Sequence, residues 1–541
     1  MYFYRTIFLK NNSIKIKKKY HYLKIFDTTK VISFEEYMLL AILYLFIYLL
    51  QSAYGVVGSN GNVSSLTHFT DMIEFVAGGP VRIDLMTHLF DQNEKKNWNI
   101  SLFAQYFSSP ENTVKLATLL FPFQDVLLTT TGGPDYFLST ATNKEIRDLD
   151  ASILGITDKE FFSITGIFPQ STKKYLGFFG YYAFSHNENN TPKFSLQVAA
   201  PLISVNHKIG QKEKIYKKGS SYDESPIKNV IDGLSSKNLL NQRWNFSKEG
   251  ISNTEISNIE LNLSWNYFPL KKCSIETYAG CLIPVTKKTK KEKINEQFIF
   301  PPTIPNSEHF GLQYGTTISL FLYENDERII QFVLGNNLLY FIPEKKLRSF
   351  DLAQKPWSRY LPVYENFALP NQSETSLVNK LTLTSRVTPN FSNIATIQMD
   401  FKKNFYTFGI GYTLFTRQSE SVTIIDDLPN IAIKGTSEII PGENIPLSVA
   451  RTASLQLSRE DVICQNPVYE DPNFFYTKIE AGNIDISSAT HPAVFLGEIY
   501  LKLKLDCFDR LKCVLGGSYR FCHNNTAIEY STCWAGIQYE F

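Results

Sequence analysis

The sequence predicts an all-β fold: a single closed antiparallel transmembrane β-barrel of 12 or 14 strands (range 12–16), with long extracellular loops and short periplasmic turns. Three observations lead there. Apolar residues recur at every second position in many short runs, which is the period of a strand with two unlike faces. The connections between these runs alternate in length. The chain ends on an alternating strand, with Cys533, Ala535, Ile537, Tyr539 and Phe541 on one parity and Trp534, Gly536, Gln538 and Glu540 on the other.

Taken in order, the runs begin at Val81, Ile83, Leu85 and Leu89. Trp98, Ile100, Leu102, Ala104 and Tyr106 form a second, cleaner case. Tyr175 to Phe184 is aromatic on both parities, broken by Gly177 and Gly180. Phe194, Leu196, Val198, Ala200 and Leu202 follow. Ile259, Leu261, Leu263, Trp265 and Tyr267 oppose Glu260, Asn262, Ser264 and Asn266. Further runs cover 273–285, 310–323, 329–341, 394–401, 405–415, 496–505, 512–522 and the tail. Leu377–Val387 and Leu447–Leu457 also alternate, and could be extra wall strands or hairpins folded into the lumen.

The connections 91–97, 185–193, 268–272, 324–327, 402–404 and 506–511 are short. Between them lie the excursions 108–174, 206–256, 286–309, 342–390 and 417–493. Membrane barrels have short periplasmic turns and long outer loops in this order, whereas a soluble sandwich has no reason to keep it. A C-terminus in the periplasm gives the same phase. Within the excursions, Asn143–Ile153 reads as a charged helix, and Lys287–Lys293 as a solvated loop tip or a contact for outer-leaflet phosphates.

The tail resembles the C-terminal signature of Gram-negative outer-membrane β-barrels, a terminal Phe with apolar residues alternating back from it. That resemblance makes Cys533, Ala535, Ile537, Tyr539 and Phe541 the signature read by the barrel-assembly machinery. It implies the outer membrane as the location and outer-membrane lipid as the surroundings. It covers the exported chain through architecture, without a subfamily motif.

The N-terminal part fits export. Residues 1–37 are basic, with Lys15, Lys17, Lys18 and Lys19 close together. An apolar core, Met38–Leu50, leads to Ala53, Tyr54 and Gly55, with small residues at the −3 and −1 positions of a cut after Gly55. The reading is a basic extension plus signal peptide over 1–55, a lead segment and possible plug over 56–80, and the barrel over 81–541. A long basic region with Glu35 and Glu36 beside the core also allows a start downstream of Met1, or a retained anchor.

Bulk composition is compatible with this and excludes some classes. The net charge of +2 gives no signal for nucleic acid. A mean hydropathy of −0.15 argues against a bundle of membrane helices, but not against a barrel in which only alternate residues meet lipid. The 14% aromatic content suits the girdles of such a barrel. Seven cysteines form no CxxC. They read as small wall residues or, among Cys507, Cys513, Cys522 and Cys533, as a disulfide across a turn.

Chemical constellations are lacking in the sequence. There is no GxSxG, HExxH, Walker or dinucleotide glycine pattern, and the eight histidines show no ligand spacing. The expectation is therefore no enzyme and no cofactor. The inward parity offers Glu260, Asn262, Ser264 and Asn266, and Tyr500, Lys502 and Lys504, as lumen-lining residues. By family analogy they point to a pore or passive transporter for small polar solutes. Alternatives are uptake of hydrophobic compounds past an N-terminal plug, or a surface adhesion or structural barrel working through its loops.

Overall fold

The computed structural model describes the chain from residue 98 to 541, except 111–125, 131–148, 151–153, 159, 187–191, 236–249, 271, 286–301, 303, 305–308, 326–327, 354–357, 359–361, 366–372, 437–466, 472–473, 509 and 523–526. Twelve strands form one ring. In chain order they are β1 (Trp98–Ser108), β2 (Phe162–His186), β3 (Pro192–Lys217), β4 (Asn258–Leu270), β5 (Cys273–Pro284), β6 (Gly311–Glu324), β7 (Arg328–Phe341), β8 (Phe391–Lys403), β9 (Tyr406–Arg417), β10 (Val494–Phe508), β11 (Leu511–Cys522) and β12 (Tyr530–Glu540). Each pairs antiparallel with its chain neighbour. β1 holds β2 on one edge and β12 on the other, so no edge of the ring is open.

The seam is in register along its whole length: Ala104 faces Ala535, Leu102 faces Ile537 and Ile100 faces Tyr539. The last residue is tied in as well, since the Phe541 peptide N–H donates to the Trp98 carbonyl at 3.0 Å. Chain ends usually fray. This one completes a backbone ladder whose unpaired groups would be costly in hydrocarbon.

Side chains alternate as the sequence requires. On the seam Leu102 and Ile537 are each 55% exposed, while Ser101 and Gln538 beside them are buried. Apolar surface left outside is stable only against lipid. Aromatic rings mark the two ends of the oily band. Trp98 packs on Tyr182 and Tyr539 on Phe541 at the rim of the short turns. Tyr340 packs on Phe391 and Tyr519 on Phe521 at the outer rim. On β1, Trp98 and Tyr106 are eight positions apart, about 26 Å of strand.

Inside, large rings fit over glycines in direct register. Phe103 lies opposite Gly177, Tyr278 opposite Gly315, Tyr500 opposite Gly411 and Trp534 opposite Gly516. A Cβ at any of these glycines would overlap the facing ring. Gly411→Val should therefore lower barrel stability by about 1–3 kcal/mol, read as a drop in the urea midpoint. Gly482→Ala, where a Cβ would meet nothing within 4 Å, should leave the midpoint in place.

The structure differs from the sequence reading in several places. β1 closes the ring with both its edges filled; Val81, Ile83, Leu85 and Leu89 lie outside the described residues. β2 and β3 run 25 and 26 residues, well past the 9–11 or so that span a bilayer, so the excursions 108–174 and 206–256 are shorter than read. Their outer halves carry lysines where the wall carries apolar residues, which hid the continuing ladder. Strands Val126–Thr130 and Ile251–Ile256 extend this raised part of the sheet. Leu149–Asp150 is a short parallel strand rather than part of a helix; the rest of Asn143–Ile153 is outside the described residues.

The two excursions after β7 and β9 are not simple loops. They pack together on a core of their own, with Phe350, Leu352, Leu377, Leu381, Leu383, Val387 and Val422 buried in it. Leu377–Val387 is neither wall strand nor inward hairpin. Leu377–Lys380 is a helical turn, and Thr382–Thr388 sits between Glu344–Ser349 and Ser421–Ile424 in a three-stranded sheet. A second sheet joins Pro362–Glu365 to Ile431–Thr436 and Phe474–Lys478. This body, here the outer domain, lies on the side opposite the short turns. Leu447–Leu457 is outside the described residues.

Candidate functional site: the lumen wall and the outer domain

Glu260, Asn262, Ser264 and Asn266 on β4, and Tyr500 and Lys502 on β10, are all buried on the inner side of the ring; Lys504 is half-buried. The geometry joins the first set to residues the sequence reading did not single out. Asn262 Nδ2 donates to Glu260 Oε1 at 2.7 Å, and Gln313 Nε2 donates to the same oxygen at 2.8 Å and also to Asn262 Oδ1. Gln197 reaches across β4, donating to Glu276 Oε1 at 2.8 Å. Ser195 and Ser264 hydrogen-bond between β3 and β4.

The second set forms a relay on the other side. Tyr500 Oη donates to Gln398 Oε1 at 2.7 Å, and Gln398 Nε2 donates to Asp400 Oδ2 at 2.6 Å. Lys502 Nζ lies 3.4 Å from Asp400 Oδ1. Gly409 makes the pairing possible, since a Cβ there would overlap both Lys502 and Asp400. Lys512 pairs with Glu540 at 2.6 Å, and Arg520 with Glu498 at 3.1 Å. Charges inside a membrane wall are costly unless they are paired and turned from lipid. These meet both conditions. Glu276, Gln313, Asp400, Lys512 and Glu540 all sit on the inward parity, so the signal that marked Glu260 could have marked them.

An aromatic layer lies toward the end of the short turns. Phe103, Phe179, Tyr181, Tyr500 and Trp534 cluster there, with Phe268, Phe321 and Val514 against them. These residues come from seven of the twelve strands. The lumen is therefore polar along its height but narrowed by rings at one level.

The outer domain holds a buried charge cluster where its two excursions leave the barrel. Glu420 is hydrogen-bonded through its peptide N–H to the His491 carbonyl at 2.9 Å, and its carboxylate accepts from the His491 N–H at 3.3 Å. Arg348 Nη2 lies 3.5 Å from the same carboxylate, both side chains being almost fully buried. Burial alone would push the Glu420 carboxyl up. The opposing charges of Arg348, His491, Arg417 and Lys346 outweigh it and hold the carboxyl at about 2. A carboxyl depressed in the folded state stabilises above its unfolded value, near 4.5, and that stability is lost as the pH falls toward about 2. Protease resistance of the outer domain should thus be flat above about pH 4.5 and decline below it, and Glu420→Gln should flatten the decline.

The six cysteines among the described residues are free. The turn-crossing disulfide is therefore absent there; Cys281, Cys513 and Cys533 lie on the outward parity as wall residues. Of the tail signature, Cys533, Ala535, Ile537, Tyr539 and Phe541 are all exposed on the lipid side. Gly55, the lead segment 56–80 and Lys287–Lys293 lie outside the described residues.

No protein-family profile and no curated protein sequence matches the chain. Solved structures do. An outer membrane channel from Pseudomonas putida F1 is 5% identical, with 82% of this chain and 96% of that one covered at a TM-score of 0.35. The transport unit of the autotransporter AIDA-I from Escherichia coli is 8% identical, with 85% and 96% covered at 0.24. The toluene transporter TbuX from Ralstonia pickettii is 9% identical, with 90% and 96% covered at 0.27.

Membrane placement rests on the barrel itself: a ring without edges, oily outside, aromatic at both rims and polar within. The chain is a closed transmembrane β-barrel.

Proposed function

We propose that the protein passes small polar solutes through a narrow lumen whose preference is set by the paired wall charges. The observation that supports this reading is the inward parity. Carboxylates and ammonium groups, with neutral amides between them, line the ring at several heights, and Lys502–Asp400 and Lys512–Glu540 face inward within the wall. Eight strands enclose about as much space as side chains can fill, and twelve enclose more. The aromatic layer then restricts the size of what passes.

Planar-bilayer recording on the full-length protein tests it. Small discrete conductance steps are expected, and Lys502→Gln, which leaves the Asp400 carboxylate unneutralised, should shift the reversal potential toward cations. A silent bilayer at any voltage, with the protein shown to be inserted, would refute the reading.

One observation favours a second reading. The excursions after β7 and β9 share a hydrophobic core, which a passive pore does not need. A surface-interaction barrel would use that domain as its working part. Trimming within 418–493 should then abolish binding to other cell surfaces while conductance is unchanged.

A further inference from the structure

β2 and β3 carry one face from the lipid into the space above it. On β3 the outward residues are Leu196, Val198, Ala200 and Leu202, then Ser204, Asn206, Lys208, Gly210, Lys212, Lys214 and Tyr216. On β2 they are Phe178 and Leu176, then Lys174, Thr172, Gln170 and Phe168. The change from oil-facing to basic is abrupt. Lys174 follows two positions after Leu176 and lies opposite Tyr106, a ring of the outer girdle, so it stands at headgroup height. The register then stacks Lys208 opposite Gln170, Lys212 opposite Gly166 and Lys214 opposite Ile164. Lys208 to Lys214 covers about 20 Å of strand.

Lys174, Lys208, Lys212 and Lys214 are all exposed, and this face of the two strands carries no acidic residue from 162 to 176 or from 202 to 216. The nearby acid Glu213 points to the other face, where its carboxylate accepts from the Val230 and Ile231 N–H groups. Aromatic rings brace the ladder: Lys212 Nζ lies 5.6 Å from the centre of the Phe168 ring, and Lys214 Nζ 4.7 Å from that of Tyr216. Four like charges in a row repel one another, and no acidic side chain on this face neutralises them.

We propose that this face binds the phosphate groups borne on the sugars of outer-leaflet glycolipid. Its position fits that occupant, because the same strand face that meets the acyl chains continues into the layer where such phosphates lie. Its chemistry fits as well: lysine ammonium groups bind phosphate as point charges and add roughly 1 kcal/mol each near an anionic membrane surface. The proposal is independent of whether the lumen conducts.

The test uses the purified full-length protein in detergent, with phosphorylated lipid A and the same lipid enzymatically dephosphorylated as probes, and native mass spectrometry as the readout. The wild type should retain the phosphorylated lipid and not the dephosphorylated one. A Lys174→Gln, Lys208→Gln, Lys212→Gln, Lys214→Gln variant should lose that retention by about a thousandfold, and the matching Arg variant should keep it. A control at the opposite end, Lys193→Gln, Lys272→Gln, Lys403→Gln, should bind as the wild type does. Heat-modifiable gel migration shows that each variant is folded. Equal retention of both lipids, or equal loss in the control, would overturn the assignment.

Discussion

Arg348→Ala releases the outer domain while leaving the barrel closed. The substitution strands the Glu420 carboxylate in a site where both partners are almost fully buried. Breaking a buried pair by removing one member costs about 3–5 kcal/mol, because the remaining charge keeps its desolvation penalty. Arg417, His491 and Lys346 still face Glu420, which places the expected loss near the lower end, about 3 kcal/mol. Limited proteolysis checks it: cleavage within 342–390 and 418–493 should appear at protease levels the wild type resists, with the folded barrel band unchanged. Arg348→Ala combined with Glu420→Ala should recover part of the loss, since no buried charge is then orphaned. A single and double variant of equal stability would mean that the pair contributes nothing.

The second large effect lies at the seam. Ile537→Arg puts a guanidinium on the lipid face opposite Leu102, midway between the aromatic rims. Such a change at the bilayer midplane costs about 2–4 kcal/mol and falls to roughly 0–1 at the interface. The urea midpoint for unfolding from lipid vesicles should drop accordingly. Ser531→Arg is the internal comparison: it shares the outward face but lies beside Tyr519 of the outer girdle, and should cost little. If both variants unfold alike, the outward parity does not meet hydrocarbon.

Much of the wall was legible in the residues. Glu260 to Asn266 alternate with Ile259 to Tyr267, and the structure buries the first set inside the ring. Glu276 and Asp400 obey the same alternation on strands whose two faces differ less in polarity. The raised hairpin was hidden for a physical reason. Strand periodicity was read from apolar contrast, and above the membrane that contrast vanishes while the hydrogen-bond ladder continues from Lys174 to Phe162. The outer domain was hidden differently: its core draws on Phe350, Leu381 and Ile484, which lie far apart in the chain and show no shared local pattern.

Alternation along each strand and the order of short and long connections belong to the sequence alone, because both follow from which neighbour a backbone places on which face. They determined a closed membrane barrel and which side chains turn inward. Only the folded chain decided that Trp98–Ser108 closes the ring, that Tyr500 meets Gly411 and Lys502 meets Asp400, and that two distant excursions share one core. Those outcomes depend on the stagger between strands and on contacts across hundreds of residues, which no local period encodes.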